Sequence, residues 1–153
     1  MLENCKTAKE RWGGVSAIID RWLQERQDLL VRFCDLSSKD NQEQTSYGDS
    51  LRTFCQILVD YVSAGHFEVY DQLIREGKEF NDKPALRTAQ TLYKKIDPTT
   101  DLALDFNDKY LETDDLDAIG RDLSQLGEAL ETRFAAEDEM ISVLHTAHKN
   151  QVA

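Results

Sequence analysis

Long stretches of apolar residues at helical spacing, with only two prolines among 153 residues, are the feature that most constrains this chain. There are seven glycines and no run of alternating β-branched residues, so the pattern indicates helices and no sheet. A chain of this length can bury one continuous core without a disulfide or a metal. We therefore expect an all-α fold: a single domain over residues 1–153, built as an antiparallel bundle of four main long helices.

The first two helices are separated by a polar loop. We expect the first from about Leu2 to Leu36, with a kink or break near Gly13-Gly14. The second should run from near Tyr47 to about Glu76, with Gly77 as a left-handed C-terminal cap. Gly65 lies inside this second helix, where glycine costs about 1 kcal/mol relative to alanine. It therefore indicates either a close approach of two helices or a contact point for a partner.

The third and fourth helices complete the bundle, and Pro84 lies in the first turn of the third. The third begins near Asp82, and Pro98 inside it predicts either a kinked long helix or two short ones. The fourth opens at Thr113, with acidic residues in its first turn, and ends near Ala147.

A formal net charge of −11 disfavours some classes of binding partner and favours others. Affinity for a phosphate backbone comes largely from Lys and Arg, so direct binding to DNA or RNA is not expected. An acidic surface can instead steer a basic protein towards itself and compete with nucleic acid for it. Acidity that serves solubility alone is the competing explanation.

The sequence carries no sign of a membrane segment or a secretion signal. Charges interrupt every apolar run, and no basic region precedes a hydrophobic block at the N-terminus, so we expect a cytoplasmic protein. Cys5, Cys34 and Cys55 include no Cys-x-x-Cys pair and are expected to be reduced. Cys34 and Cys55 each follow a phenylalanine in a helical pattern and should be small core residues.

Several polar residues occupy positions that helical spacing points inward. His66 falls on the apolar stripe of the second helix, Arg26 on that of the first and Glu137 on that of the last. Tyr70 and Arg133 lie within a turn or two and can complete the hydrogen bonding that buried polar groups require. We expect a buried polar network of Arg26, His66, Tyr70, Arg133 and Glu137 that fixes the register of the helices.

The same residues raise the question of a metal site. Metal-binding bundles use several inward ligands, commonly Glu-x-x-His pairs, but Glu68 lies two residues after His66 and faces elsewhere. His145 and His148 are three apart and could form a minor surface site, although at a helix end they suit the helix dipole better. We expect no metal and no cofactor, and we retain a metal- or small-molecule-binding bundle with buried His and Glu as the alternative.

Catalytic motifs are absent from the sequence. No glycine-rich turn presents a serine or cysteine beside a histidine, and no phosphate loop or dinucleotide fingerprint occurs. We therefore expect no catalytic residues and a protein that is not an enzyme.

Three segments together resemble a known family. Residues 60–70, with the sequence DYVSAGHFEVY, are preceded by IDRWLQER at 19–26 and followed by RFAAED at 133–138. These segments resemble the Rsd/AlgQ family of bacterial anti-sigma regulators, and the likeness spans nearly the whole chain. Trp12-Gly13-Gly14 and the two Phe-Cys pairs are more similar to the AlgQ branch than to the Rsd branch.

The resemblance implies a protein that acts by binding rather than by catalysis. Members of the family bind the C-terminal, promoter-reading domain of the primary sigma factor and sequester it from core RNA polymerase and promoter DNA. Pseudomonad members are linked to alginate and siderophore gene control. A sigma domain that holds DNA must be basic, which agrees with the acidic charge of this chain.

Seven residues are expected to form or support the sigma-binding surface. For Trp22 and Phe67, plain core packing is an equally good interpretation of the pattern. The seven are Asp20, Trp22, Leu23, Asp60, Ser63, His66 and Phe67.

Overall fold

The computed structural model describes residues 8–38 and 46–152, and side chains within 10–38 and 46–151. The described part contains only helices and connecting turns, without a strand. None of its helices combines the length and the apolar character needed to cross a membrane. Cys5 and the start of the expected first helix lie outside the described residues.

Four long helical units make up the bundle, as the sequence predicts, and the second contains a local change of helix type. The elements are α1 (Ala8–Ser37), α2 (Tyr47–Ala64), a π-helical turn (Gly65–Val69), α3 (Tyr70–Glu79), α4 (Lys83–Glu112), α5 (Ile119–Leu144) and a 3₁₀ segment (Thr146–Val152). The π turn follows α2 and precedes α3 without a break, so α2, the π turn and α3 form one rod. Around the bundle α1 packs on α2, α2 on α4, and α4 on α5.

Neither of the two expected interruptions ends a helix. Helix α1 continues through Gly13-Gly14, so no break occurs there, and α4 continues through Pro98, so one long helix rather than two short ones is correct. The kinks expected at both places stay predictions. Proline removes one backbone donor from the helical ladder. Just after it, the hydroxyl of Thr99 donates to the carbonyl of Ile96 at 2.5 Å.

The expected left-handed cap at Gly77 is wrong. The helix continues to Glu79, and a positive φ occurs instead at Asn81, at 52°. Gly77 is needed for space instead: a Cβ there would lie 2.7 Å from a methyl carbon of Leu144 and 2.7 Å from one of Leu86. Close packing of α3, α4 and α5 therefore explains this glycine.

The last helix begins later than expected, at Ile119 rather than Thr113. The amide of Asp115 donates to the hydroxyl of Thr113 at 3.1 Å, and the amide of Asp117 donates to the Asp115 carboxylate at 3.0 Å. Such local side-chain acceptors compete with helical hydrogen bonds. Residues 113–118 therefore form a loop.

The two C-terminal histidines are buried, which corrects the expectation that they lie at the surface. His145 Nδ1 lies 2.6 Å from the carboxylate of Glu76, and its ring stacks on Trp12 at 4.2 Å between centroids. His148 Nε2 lies 2.8 Å from the carboxylate of Asp82, which also caps α4. These contacts hold residues 145–148 against α1, α3 and the N-terminal end of α4.

The packing of Gly77 generates a stability prediction. We expect Gly77→Ala to destabilise the fold by about 1–3 kcal/mol, because both leucines must move and Leu144 is fully buried. Gly13→Ala is the matched control, since a Cβ there would meet no described atom within 4 Å outside its own helix backbone. Gly13→Ala should raise the free energy of unfolding by about 0.5–1 kcal/mol. Urea unfolding followed by circular dichroism measures both, and a stabilising Gly77→Ala would contradict the packing argument.

A candidate protein-interaction face above a buried polar network

The carboxylate of Glu137 on α5 is the centre of a buried polar network. It is 1% exposed and accepts hydrogen bonds from four side chains. The Tyr61 hydroxyl donates to Oε1 at 2.6 Å, and the Tyr70 hydroxyl donates to Oε2. Arg133 Nε donates to Oε2 at 3.1 Å, and Arg26 Nη2 donates to Oε1 at 3.3 Å. We call these five residues the Glu137 network.

Arg133 extends the network to α4. Its side chain is 0% exposed, and Nη1 donates to the hydroxyls of Thr100 at 2.7 Å and Thr99 at 3.2 Å. Its Nη2 donates to the Tyr70 hydroxyl at 3.0 Å. Every nitrogen of this buried guanidinium therefore has an acceptor, which a charge taken out of water requires.

Arg26 reaches the network from α1 at its solvent edge. Its Nε donates to the Tyr61 hydroxyl at 3.0 Å, and its Nη1 donates to Asp138 at 2.6 Å. The guanidinium carbon also lies 4.7 Å from the ring centroid of Phe134 and 5.5 Å from that of Trp22. Arg26 thus closes the network against water with hydrogen bonds and aromatic contacts.

Burial sets the protonation of the network. It raises the pKa of Tyr61 and Tyr70, and the negative charge of Glu137 raises both further, so the two hydroxyls stay protonated and can donate. Burial also raises the pKa of Glu137, while Arg133 and the tyrosine hydroxyls oppose that shift.

The structure brings four of the five expected network residues together and leaves out His66. His66 is exposed, and its Nδ1 forms a 2.7 Å hydrogen bond with the hydroxyl of Tyr93. The expectation of a buried histidine is therefore wrong. Over the eight residues from the fully buried Leu58 a regular helix turns by about 800°, which places His66 about 80° away, at the edge of the apolar stripe. The buried residues of the π turn are Gly65 and Val69. Tyr61 is a network residue that the sequence analysis does not name, although it follows Leu58 by three residues and Phe54 by seven, which places it on the same stripe.

Gly65 marks a close approach of α1 to the π turn, one of the two explanations expected for it. A Cβ at Gly65 would lie 3.1 Å from Trp22 and 3.3 Å from the Tyr70 hydroxyl. Trp22 is 2% exposed, stacks on Tyr61 at 4.8 Å, and donates from Nε1 to the Tyr61 carbonyl at 3.2 Å. Trp22 is therefore a core residue beneath the expected surface.

Phe67, in contrast to Trp22, lies at the surface. Its side chain is 78% exposed, and its ring meets His66 edge-on at 4.8 Å between centroids. Core packing is excluded for Phe67. Of the remaining expected surface residues, Asp20 and Asp60 are exposed, whereas Leu23 and Ser63 are half-buried.

Carboxylates from three elements surround this part of the molecule. Burial and the nearby Asp60 raise the pKa of Glu25, and Glu68 raises it further, while Arg21 lowers it. Arg21 Nη2 lies 3.4 Å from the Glu68 carboxylate. Three acidic groups therefore share one basic group, so α1, α2 and the π turn present a net negative face. We call Asp20, Leu23, Asp60, Ser63, His66 and Phe67 the π-turn face.

Two other expectations concern cysteines and metals. Cys55 is buried, and burial raises the pKa of its thiol to about 11, but Cys34 is exposed and is not a core residue.

Within the described residues, no three His, Cys, Asp or Glu side chains are grouped so that they could hold a metal ion. The metal-binding alternative therefore has no ligand cluster in that part of the chain.

Comparison with known proteins identifies the family. Residues 1–145 match the family described as "Regulator of RNA polymerase sigma(70) subunit, Rsd/AlgQ". The chain belongs to the Rsd/AlgQ family. It is similar to the "Regulator of sigma D" of Enterobacter sp. (strain 638), with 39% identity over 94% of this chain and 89% of that protein. The protein of the same name from Yersinia enterocolitica is 33% identical over 92% of this chain and 88% of its own length.

The family predicted from the sequence is thus confirmed. Both relatives carry the name "Regulator of sigma D", and the greater closeness of this chain to the AlgQ branch stays a prediction.

The Glu137 network generates a second stability prediction for this Rsd/AlgQ family member. Glu137→Leu should cost about 3–5 kcal/mol, because it leaves the buried Arg133 without its charge partner. Asp138→Asn is the matched control: that carboxylate also contacts Arg26 but is 61% exposed, so its loss should cost less than about 1 kcal/mol. Chemical denaturation of both variants gives the comparison. Equal losses would show that the network does not depend on Glu137.

Proposed function

We propose that this chain binds the C-terminal, promoter-reading domain of the primary sigma factor. Binding sequesters that domain from core RNA polymerase and from promoter DNA, and so lowers holoenzyme activity in the cytoplasm. Membership of a family described as regulators of the sigma(70) subunit supports the choice of partner. The mechanism is stoichiometric occlusion rather than catalysis.

The exposed ring of Phe67 amid carboxylates is the observation that carries this proposal. Interfaces draw most of their affinity from a few large apolar or aromatic anchors that lose contact with water on binding. Phe67 offers such an anchor, and the acidic groups Glu25, Asp60 and Glu68 lie on the elements around it. A DNA-binding domain presents basic residues, so the charges of the two surfaces are complementary.

The residues of the π-turn face divide into contacts and supports. We assign Phe67 as the anchor and His66, held by Tyr93, as the group that fixes its orientation. Asp20 and Asp60 steer the basic partner, and the half-buried Leu23 and Ser63 complete the contact area. Trp22 supports the face from below and does not touch the partner.

The anchor is tested by Phe67→Ala. Binding to the purified sigma C-terminal domain, measured by isothermal titration calorimetry, should weaken about tenfold or more, as expected for an interface anchor. Val31→Ala on α1 is the control, because Val31 is also a large exposed apolar residue, at 58%, but lies outside the π-turn face. Similar affinities for the two variants would remove Phe67 from the interface. Failure of the unaltered chain to bind would overturn the proposal itself.

The steering charge is tested by Asp20→Lys. Affinity for the sigma domain should fall several-fold at low salt, and its dependence on salt should flatten, because screening acts on exposed charges. Asp117→Lys in the loop between α4 and α5 changes the total charge equally and should have a smaller effect. An Asp20→Lys variant with unchanged affinity and salt dependence would exclude Asp20 from the interface.

A further inference from the structure

A long cleft separates the C-terminal half of α1 from the N-terminal half of α5. It consists of two adjoining depressions of about 650 and 230 Å³, which share Phe33, Gly127 and Glu131 in their linings. Phe33 covers Gly127 so closely that a Cβ there would lie 2.9 Å from the ring. The Phe33 ring therefore spans the space between the two helices at the floor of the cleft, while around Arg26 the helices are joined by hydrogen bonds to Glu137 and Asp138.

The lining of the cleft is apolar at its floor and acidic at its rim. Among the residues that line it, the charged ones are Glu128 and Glu131, both exposed on α5, and neither forms an ion pair with a described residue. The apolar lining comes from both helices and consists of Leu30, Phe33, Leu123, Leu130 and Phe134.

We propose that this cleft binds one amphipathic helix of a basic partner protein. The apolar side of that helix would fill the floor, and its Lys or Arg residues would pair with Glu128 and Glu131. A helix fits because side-chain ridges of one helix pack into the groove between two others, with apolar anchors repeating every three or four residues. The cleft runs from Gly120 to Phe134 along α5, which spans about 21 Å at 1.5 Å per residue.

Charge selects the class of occupant. The chain carries a net charge of −11, so a second copy would bring further carboxylates to a rim whose described residues include no cation to receive them. A basic helix instead neutralises Glu128 and Glu131. The residues that line the cleft come from α1 and α5 and include no residue of the π-turn face. This proposal therefore does not depend on the sigma-binding proposal and fails or stands separately.

Blocking the cleft is the first test. The probe is a fluorescently labelled helical peptide of about 18 residues, long enough to span the cleft, with a leucine face and lysine flanks. This peptide is titrated into the full chain, and binding is followed by fluorescence anisotropy.

Ser124→Trp, which places an indole in the cleft, should weaken peptide binding about tenfold or more. Gln125→Trp is the matched control, since Gln125 is exposed on the same helix but outside the lining. Equal binding by the two variants would overturn the proposal.

Reversing the rim charge is the second test. The double variant Glu128→Lys with Glu131→Lys should lose affinity for the lysine peptide and gain affinity for its glutamate counterpart. Asp105→Lys with Asp108→Lys is the control, because these exposed residues of α4 have the same spacing and change the total charge equally. A control pair that weakens the lysine peptide as much would show that binding follows only net charge and would overturn the proposal.

Glycine amides locate the bound peptide by nuclear magnetic resonance. The amides of Gly120 and Gly127 should shift on titration, whereas those of Gly48 and Gly77, outside the cleft, should not. Shifts confined to Gly48 or Gly77 would place the peptide elsewhere and overturn the proposal. Dimerisation of the free chain that Ser124→Trp abolishes, measured by sedimentation, would identify a second copy as the occupant and overturn it as well.

Discussion

The carboxylate of Glu137 is the group on which the arrangement of all the helices depends. Its donors come from α1 through Arg26, from α2 through Tyr61, from α3 through Tyr70 and from α5 through Arg133. Arg133 in turn donates to hydroxyls of α4. A buried charge is tolerated only when its partners are in place, so displacement of one helix leaves polar groups unpaired in the others. The network thereby disfavours alternative registers that apolar packing alone would tolerate.

The network also accounts for the π turn that follows α2. Tyr61 and Tyr70 must both point at the same carboxylate, although nine positions separate them along one rod. Over nine residues a regular helix turns by about 900°, which is two and a half turns, so the two side chains would face opposite directions. A π turn contains more residues per turn and reduces that angle. The local change of helix type is therefore the geometry that lets one rod contribute two donors.

Helical spacing in the sequence is enough to predict the four helical units and most of their apolar stripes. Arg26 and Glu137 are recognisable because charges interrupt those stripes. His66 is placed wrongly because helical spacing puts it only at the edge of the apolar stripe, where spacing alone does not decide whether a side chain is buried. The late start of α5 is not predicted either, since the hydrogen bonds of Thr113 and Asp115 that oppose a helix depend on local geometry. Gly77 shows the same limit: a glycine that gives space and one that caps a helix look alike in sequence.

The π turn connects the buried network to the surface. His66 and Phe67 lie within the turn and point outward, while Tyr70, the next residue after the turn, points inward. Gly65 lets Trp22 pack directly against this segment, and Trp22 in turn stacks on Tyr61 of the network. A side chain that is mostly exposed, such as Phe67, is therefore mounted on backbone held from below by aromatic packing and hydrogen bonds. Rigid mounting lowers the entropy lost when an exposed anchor is immobilised by a partner. The same burial of polar groups that fixes the bundle thus prepares the π-turn face for binding.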